Sequence, residues 1–485
     1  MSDLIPLLVT LPVVPAALLP LLGRRFDRIG WPVAAVATVA QTGLASWVLW
    51  RVATDGPMRT VVGGFPAILG IELAVDRLSA VFVLLVAGVG LWGLAYTRRD
   101  GPRSATAYAL YLLLLAGLTG MAVTRDAFNL YVFLEISALA GYALVATGDG
   151  LDAAPAALQY LLVGTVGASL YLLGVGYLYI ATGTLNMGAL ATQLAAVGYD
   201  DRLVLAAFAL IAVGLGVKVA VFPLHTWKPR AYRAAPPGFA AVLAALVSTI
   251  AAYALVRILL SAFTVAFLSA NPLVVVVLQA GAVVSIVVGA LLALLERDVR
   301  RMLAYSSVSQ LGIAVAGLSL GTPLGIVGGV VHLVGHAVMK GGAFAAAGVV
   351  AAGYGARTVD EYANAADHLP VTSAAFATLG VGLIGIPPMV GFFGKWYVAL
   401  GAVREGAWAV AAAVLVSTVL SLAYFARLVQ RLYLEPGEGK SDRATVSSGM
   451  VAAGVVAALV ALGLGLASAG LVDFLWPSVQ GVTGP

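Results

Sequence analysis

The chain has 485 residues, 61% of them hydrophobic and only 10% charged, and its mean hydropathy is +1.02. Soluble domains average roughly 45–50% apolar and about 25% charged residues, so this composition excludes a water-soluble protein and indicates a polytopic membrane protein. With no Cys and a net charge of +5 spread over short basic clusters between apolar runs, the chain offers no disulfide, thiolate cluster ligand or cysteine nucleophile, and no nucleic-acid patch.

A segment needs roughly 20 mainly apolar residues to cross a hydrocarbon core of ~30 Å. Fourteen such spans follow one another: 4–22, 30–53, 77–97, 105–123, 126–147, 155–182, 203–222, 236–260, 271–295, 301–319, 323–353, 371–399, 407–434 and 446–471. The first is short enough to suggest a signal peptide. However, Pro6, Pro12 and Pro15 interrupt it, no basic segment precedes it, and no small-residue cleavage site stands before Arg24 and Arg25, so it reads as a mature helix. Seventeen Lys and Arg fall in the odd-numbered connections, among them Arg103, Lys228, Lys440 and Arg443, against seven in the even ones. Basic loops stay cytoplasmic, which puts both termini outside.

Three lysines and one acid remain inside apolar spans: Lys218, Lys340, Lys395 and Glu135. An ionisable group at bilayer depth costs at least ~2.5–3.5 kcal/mol on insertion scales, so each is a functional-site hypothesis that needs a partner or water. Glu135, about nine residues into the span 126–147 and within FNLYVFLEISALAGYALVA, sits near the midplane by the 1.5 Å rise of a helix. With an approaching lysine it forms a proton switch, because a buried pair exchanges charged for neutral forms at modest cost. The competing reading is a protonated Glu hydrogen-bonded across a helix interface.

In LGVKVAVFPLHTWKPRAY, Lys218 precedes Pro223, which lacks an N–H and frees a carbonyl one turn back, around Val219. A helix broken at membrane depth is tolerated where protein or a wet cavity surrounds it. The bland alternative is a lysine that snorkels to the cytoplasmic end. The ERDVRRMLAYSSVSQLG segment brings hydroxyls into its helix, Ser306 and Ser307 among them, which either relay protons through water or fasten helices together.

VVHLVGHAVMKGGAF spaces His332, His336 and Lys340 at i, i+4 and i+8, a ladder about 12 Å long on one helix face. Imidazoles titrate near neutral pH and pass a proton from one ring nitrogen to the other. The zinc reading needs an adjacent Glu that this helix lacks, and satisfied structural histidines are the remaining alternative. Lys395 follows Pro387 and Pro388 in GIPPMVGFFGK, echoing the Lys218 region with lysine and proline in the opposite order. Paired interrupted segments point to an ion site in transport folds built from repeats. No phosphate-binding, dinucleotide-binding or catalytic-triad motif stands beside these groups.

FNLYVFLEI, GLGVKVAVFPLHTW, DVRRMLAYSSVSQLG, HLVGHAVMKGGAF and GIPPMVGFFGKW together resemble, in this order, the antiporter-like proton-translocating subunits of complex I, membrane-bound hydrogenases and Mrp-type cation/proton antiporters. The resemblance spans roughly residues 70 to 435. Within the family, VTRDAFNLYVFLE is most similar to the D-type subunits of Mrp-type sodium/proton antiporters. It implies an all-α membrane fold of about fourteen helices with two inverted five-helix repeats, helices 4–8 and 9–13, and breaks in helices 7 and 12. The expected divisions are 1–104, 105–262 for the first repeat, 263–435 for the second, and 436–485 for the C-terminal loop and last helix.

By the same resemblance Glu135 and Lys218 are the interacting pair of the first half-channel. His332, His336 and Lys340 match the polar ladder of the eleventh helix, and Lys395 the lysine of the twelfth. Two departures stand out. The family usually carries a lysine in helix 8 where this chain has STIAAYALVR, placing Thr249 there, and usually reads WLP where this chain reads HTWKPRAY, with Lys228 at the loop edge. Spacing alone offers no ground for letting Lys228 replace the missing lysine. Water held by Ser248 and Thr249 is the expected bridge from Lys218 to His332.

The function this implies is a proton-translocating subunit of a multisubunit sodium/proton antiporter, a transporter subunit with no cofactor. It would lie in the plasma membrane among other membrane subunits, moving protons, while sodium crosses either this subunit or another one. The alternative is a pumping subunit of a complex I-like NADH/quinone oxidoreductase or a membrane-bound hydrogenase, and a third option is a scaffold that has lost transport.

Overall fold

The structure is a computed structural model, and it describes residues 2–26, 28–64, 70–102, 104–436 and 446–480. Arg103, Lys440 and Arg443, counted above for orientation, lie outside the described residues. In chain order the helices of the first part are α1 (Leu7–Leu22), α2 (Gly30–Asp55), α3 (Arg77–Asp100), α4 (Ala105–Val123), α5 (Ala127–Ala146), α6 (Ala153–Thr182), α7 (Met187–Val197), α8 (Arg202–Val219), α9 (Lys228–Ala234) and α10 (Pro237–Ile258). The remainder are α11 (Thr264–Ala270), α12 (Pro272–Leu295), α13 (Val299–Ser319), α14 (Pro323–Gly353), α15 (Ala365–His368), α16 (Pro370–Ile384), α17 (Val390–Arg404), α18 (Trp408–Leu434), α19 (Ser448–Leu466) and α20 (Ser468–Gln480).

Twelve helices among the described residues are long and apolar enough to span a membrane. The other two expected spans are α1, which is 16 residues long, and the twelfth, which is split into α16 and α17. The protein is a multi-pass membrane protein. A hairpin of β1 (Met58–Val62) and β2 (Ile71–Val75), paired antiparallel, lies in the connection between α2 and α3; the hydropathy reading did not foresee it, because a short strand pair carries no run of apolar residues.

The two inverted repeats show in matching backbone devices. Asp126 caps α5 by accepting from Asn129 N at 2.7 Å, and Asp298 caps α13 by accepting from Arg301 N at 3.0 Å. Beside each cap runs the same two-bond bridge to the chain beyond the next helix: Ala127 N to Leu185 O and Met187 N to Arg125 O, then Val299 N to Arg357 O and Val359 N to Arg297 O. Capping side chains satisfy donors that a helix start leaves free. Their recurrence marks α4, α5, α6, α8 and α10 as one unit, and α12, α13, α14, α16/α17 and α18 as its counterpart.

The breaks correspond as well. Ala220, at φ +65°, ends α8 and Gly385, at φ +92°, ends α16. In each case two successive amides fold back onto one carbonyl, Ala220 N and Val221 N onto Gly216 O, and Gly385 N and Ile386 N onto Val381 O. A left-handed residue is the usual way to end a helix. It suits Gly385 at no steric cost, whereas Ala220 adopts it with a Cβ.

The core lies around α10, α13 and α14, where almost every residue is buried, including Ser248, Thr249, His332, His336 and Lys340. The outer helices present apolar side chains outward, such as Val36, Leu273, Leu295 and Leu434, as lipid-facing surfaces do. At one end of the bundle Asp76, the N-cap of α3, ties α10 to the connection between α4 and α5: its carboxylate accepts from Arg257 at 2.8 Å and from Arg125 at 2.8 Å.

Candidate functional site: a buried line of ionisable residues

Ending α8 at Val219 leaves carbonyls that an unbroken helix would have satisfied. All three find partners from elsewhere in the chain. Val217 O accepts from Trp227 Nε1 at 2.9 Å, Lys218 O from Ser248 Oγ at 3.0 Å, and Val219 O from Lys228 Nζ at 3.2 Å. In the second break, Leu383 O and Ile384 O are the carbonyls that Pro387 and Pro388 cannot satisfy. Lys395 Nζ donates to both, at 3.3 and 2.9 Å, and Gln310 Nε2 also reaches Leu383 O, at 3.2 Å.

Lys218 does not snorkel outward: it is 4% exposed, with its ammonium 3.4 Å from Glu135 Oε1 and 2.9 Å from the Tyr142 hydroxyl. The centroid of the Tyr142 ring is 5.4 Å away, on the far side of that hydroxyl. Glu135 keeps 20% of its side chain exposed, so the pair has one buried and one accessible member. Tyr142 was not singled out from the sequence. It stands seven residues after Glu135, two helical turns along the same face, and that periodicity was the available signal.

On α14 the three ladder residues are all enclosed, with Lys340 and both imidazoles at most 1% exposed. Lys340 Nζ donates to Leu303 O at 3.0 Å, the same carbonyl that accepts from Ser307 Oγ at 3.0 Å. Ser306 instead bonds the Tyr424 hydroxyl at 2.7 Å and so faces α18. Thr249 Oγ1 lies 3.3 Å from His336 Nδ1. Thr249 thus meets the imidazole of His336 directly, where α10 packs along α14.

Neither ring nitrogen of His332, nor Nε2 of His336, has a protein hydrogen-bond partner. A buried imidazole so placed calls for ordered water, which is how such groups are normally satisfied. His332 stands within electrostatic reach of Lys395. Lys395 is 5% exposed and extends from the two freed carbonyls to Thr418 Oγ1 at 3.4 Å.

The approach of α17 to His332 depends on Gly394, where an added Cβ would meet His332 Cα and Cβ at 2.6 Å. Since the clash is with a helix backbone and not a flexible tip, Gly394→Ala is expected to push α17 away from α14. The cost of such overpacking is about 1–3 kcal/mol, read as a lower unfolding temperature of the purified protein.

The structure corrects the sequence reading at Lys228. Assigned to a cytoplasmic connection, it is instead 1% exposed, beside the rings of Trp227 and Tyr232, whose centroids lie 5.9 and 5.7 Å from Nζ. Hydropathy missed it because α9 is only seven residues long and its burial comes from neighbouring helices. Among the described residues no group of three or more His, Asp or Glu side chains is arranged to hold a metal ion.

Two inverted five-helix units, each with a broken helix and a lysine at the break, define by fold an antiporter-like membrane subunit. The model of the NADH:quinone oxidoreductase/Mrp antiporter transmembrane family matches residues 124–421, and the chain belongs to this family. A relative from Desulforudis audaxviator (strain MP104C), NADH-quinone oxidoreductase subunit N, is 41% identical over 97% of this chain and 95% of its own length. The D-type subunit of the Na(+)/H(+) antiporter of Bacillus subtilis (strain 168) is 28% identical over 96% of this chain and 94% of its own.

Among solved structures, a chain of the membrane-bound sulfane sulfur reductase, an archaeal respiratory membrane complex, superposes with a TM-score of 0.90 at 32% identity, covering 98% of this chain and 97% of that one. A chain of the Mrp complex from Dietzia sp. DQ12-45-1b also gives 0.90, at 24% identity over 100% of this chain and 98% of that one, a likeness of fold.

Proposed function

We propose that the chain is a proton-translocating subunit of a multisubunit cation/proton antiporter. Protons would move along Glu135, Lys218, the ladder of His336, Lys340 and His332, and Lys395. The observation that carries this reading is the Glu135–Lys218 contact of 3.4 Å in an apolar interior. Opposite charges at about 4 Å attract by about 4 kcal/mol at an effective dielectric of 20. Protonating Glu135 removes that attraction and so favours release of the proton that Lys218 holds. Occupancy of one site thereby drives release at the next, and the proton passes toward the ladder through the hydroxyls of Ser248, Thr249 and Ser307 and ordered water.

Other membrane subunits are the expected partners, since similar solved chains come from multisubunit membrane complexes. The reading divides the chain at 1–104, 105–262, 263–435 and 436–485. It places the protein in the plasma membrane with both termini outside, because sixteen basic residues remain in the odd connections after Lys228 is removed, against seven in the even ones.

The second reading, a pumping subunit powered by electron transfer in a neighbouring one, is favoured by the 41% identical relative named as an NADH-quinone oxidoreductase subunit. Gentle solubilisation and analysis of subunit composition separate the two. Small hydrophobic antiporter subunits are expected, and co-purifying iron–sulfur and quinone- or hydrogen-active subunits would replace the first reading by the second.

A further inference from the structure

Lys228 buries its amino group against a neutral hydrogen-bond acceptor, Val219 O at 3.2 Å, and two aromatic faces. No carboxylate pairs with it among the described residues, so a group that can take up charge there is costly for a merely structural role. A neutral donor such as Gln would bond the same carbonyl.

Its position follows a rule written twice into the fold. Val219 lies four residues before Pro223, and Ile384 four residues before Pro388. In each half, a lysine from the helix beyond the break reaches back to that equivalent carbonyl, Lys228 to Val219 O and Lys395 to Ile384 O. Lys218 has no counterpart in this respect: its equivalent position in the second break is Leu383.

Lys228 also bridges a gap. Its acceptor belongs to the residue next to Lys218, and Lys228 stands within electrostatic reach of His336 and Lys340. Between these groups α10 offers Ser248 and Thr249, which bond Lys218 O and His336 Nδ1 and hold no charge. From this geometry we infer that Lys228 is the first repeat's counterpart of Lys395 and a proton-carrying station between Lys218 and His336.

In one turnover the neutral Lys228 amine takes, through water, the proton that the Lys218 ammonium gives up. It then returns to the amine as His336 receives that proton. The two ring faces stabilise the transient ammonium by cation–π attraction, and Val219 O aligns it. This rests on the proposed proton route, so the test carries Glu135→Gln as its control.

The measurement is dye-reported proton movement in vesicles holding the complete complex, at matched subunit levels. Lys228→Gln, which retains the donor and loses ionisation, is expected to slow transport tenfold or more, and adding Thr249→Lys to it should restore at least a third of the rate. Lys228→His carries a group of lower intrinsic proton affinity and is expected to move the transport optimum to lower pH. Wild-type rate in Lys228→Gln, or an unmoved optimum in Lys228→His, with Glu135→Gln inactive, overturns the role of Lys228 and leaves the proton route standing. Wild-type rates in both Lys228→Gln and Glu135→Gln overturn the route itself.

Discussion

Vesicles carrying Glu135→Gln or Lys218→Ala are expected to lose at least a hundredfold in cation-dependent proton movement while the protein still inserts and assembles. Gln fills nearly the same space as Glu and still accepts a hydrogen bond from Lys218, so the helix contact between α5 and α8 survives. What disappears is the titration of the site, and with it the electrostatic swing of about 4 kcal/mol that couples the two groups. Lys218→Ala removes the same coupling from the other side and leaves Glu135 beside Tyr142 without its cation. The measurement is the rate of pH change against assembled protein. Undiminished transport in both variants would reduce the pair to a structural bond.

The second large effect concerns stability. Asp76 holds the guanidinium of Arg257 in two bonds of 2.8 Å and that of Arg125 in a third. Asp76→Ala leaves buried Arg257 and partly buried Arg125 without their counter-charge, and removing one partner from a buried ion pair costs about 3–5 kcal/mol. We expect the variant to accumulate poorly and to unfold at a clearly lower temperature, with a normal yield counting against the argument.

The charge also sets an acid limit for this end of the bundle. Burial works to raise the Asp76 carboxyl, and Arg257 and Arg125 overcome it and hold the group well below the usual carboxylate range. A group depressed on folding stabilises fully above its unfolded pKa of about 3.9, and the stabilisation is lost as pH falls through the lower folded value. Thermal stability contributed by this cluster should therefore stay level from neutral pH down to roughly pH 5.

The apolar spans, the breaks at Pro223 and at Pro387–Pro388, and the ionisable residues within the spans were legible in the amino-acid order, because both signals are local. Twenty apolar residues have one way to lie in a bilayer, and a proline removes a donor wherever it stands. Glu135, Lys218, Lys340 and Lys395 were conspicuous for the same reason, as charges where the solvent is hydrocarbon.

Which groups meet was decided only by packing between distant segments. Glu135 and Lys218 are 83 positions apart, and Thr249 finds His336 across 87. No spacing rule reaches that far. Lys228 shows the limit most clearly: read along the chain, it is one more basic residue in a cytoplasmic connection. Its burial arises because the helix ending at Val219 leaves a carbonyl that needs a donor and because neighbouring helices close over Trp227 and Tyr232. Hydropathy thus determined what must lie in the membrane, while the three-dimensional demand that every buried polar group be satisfied determined which charges sit at its centre.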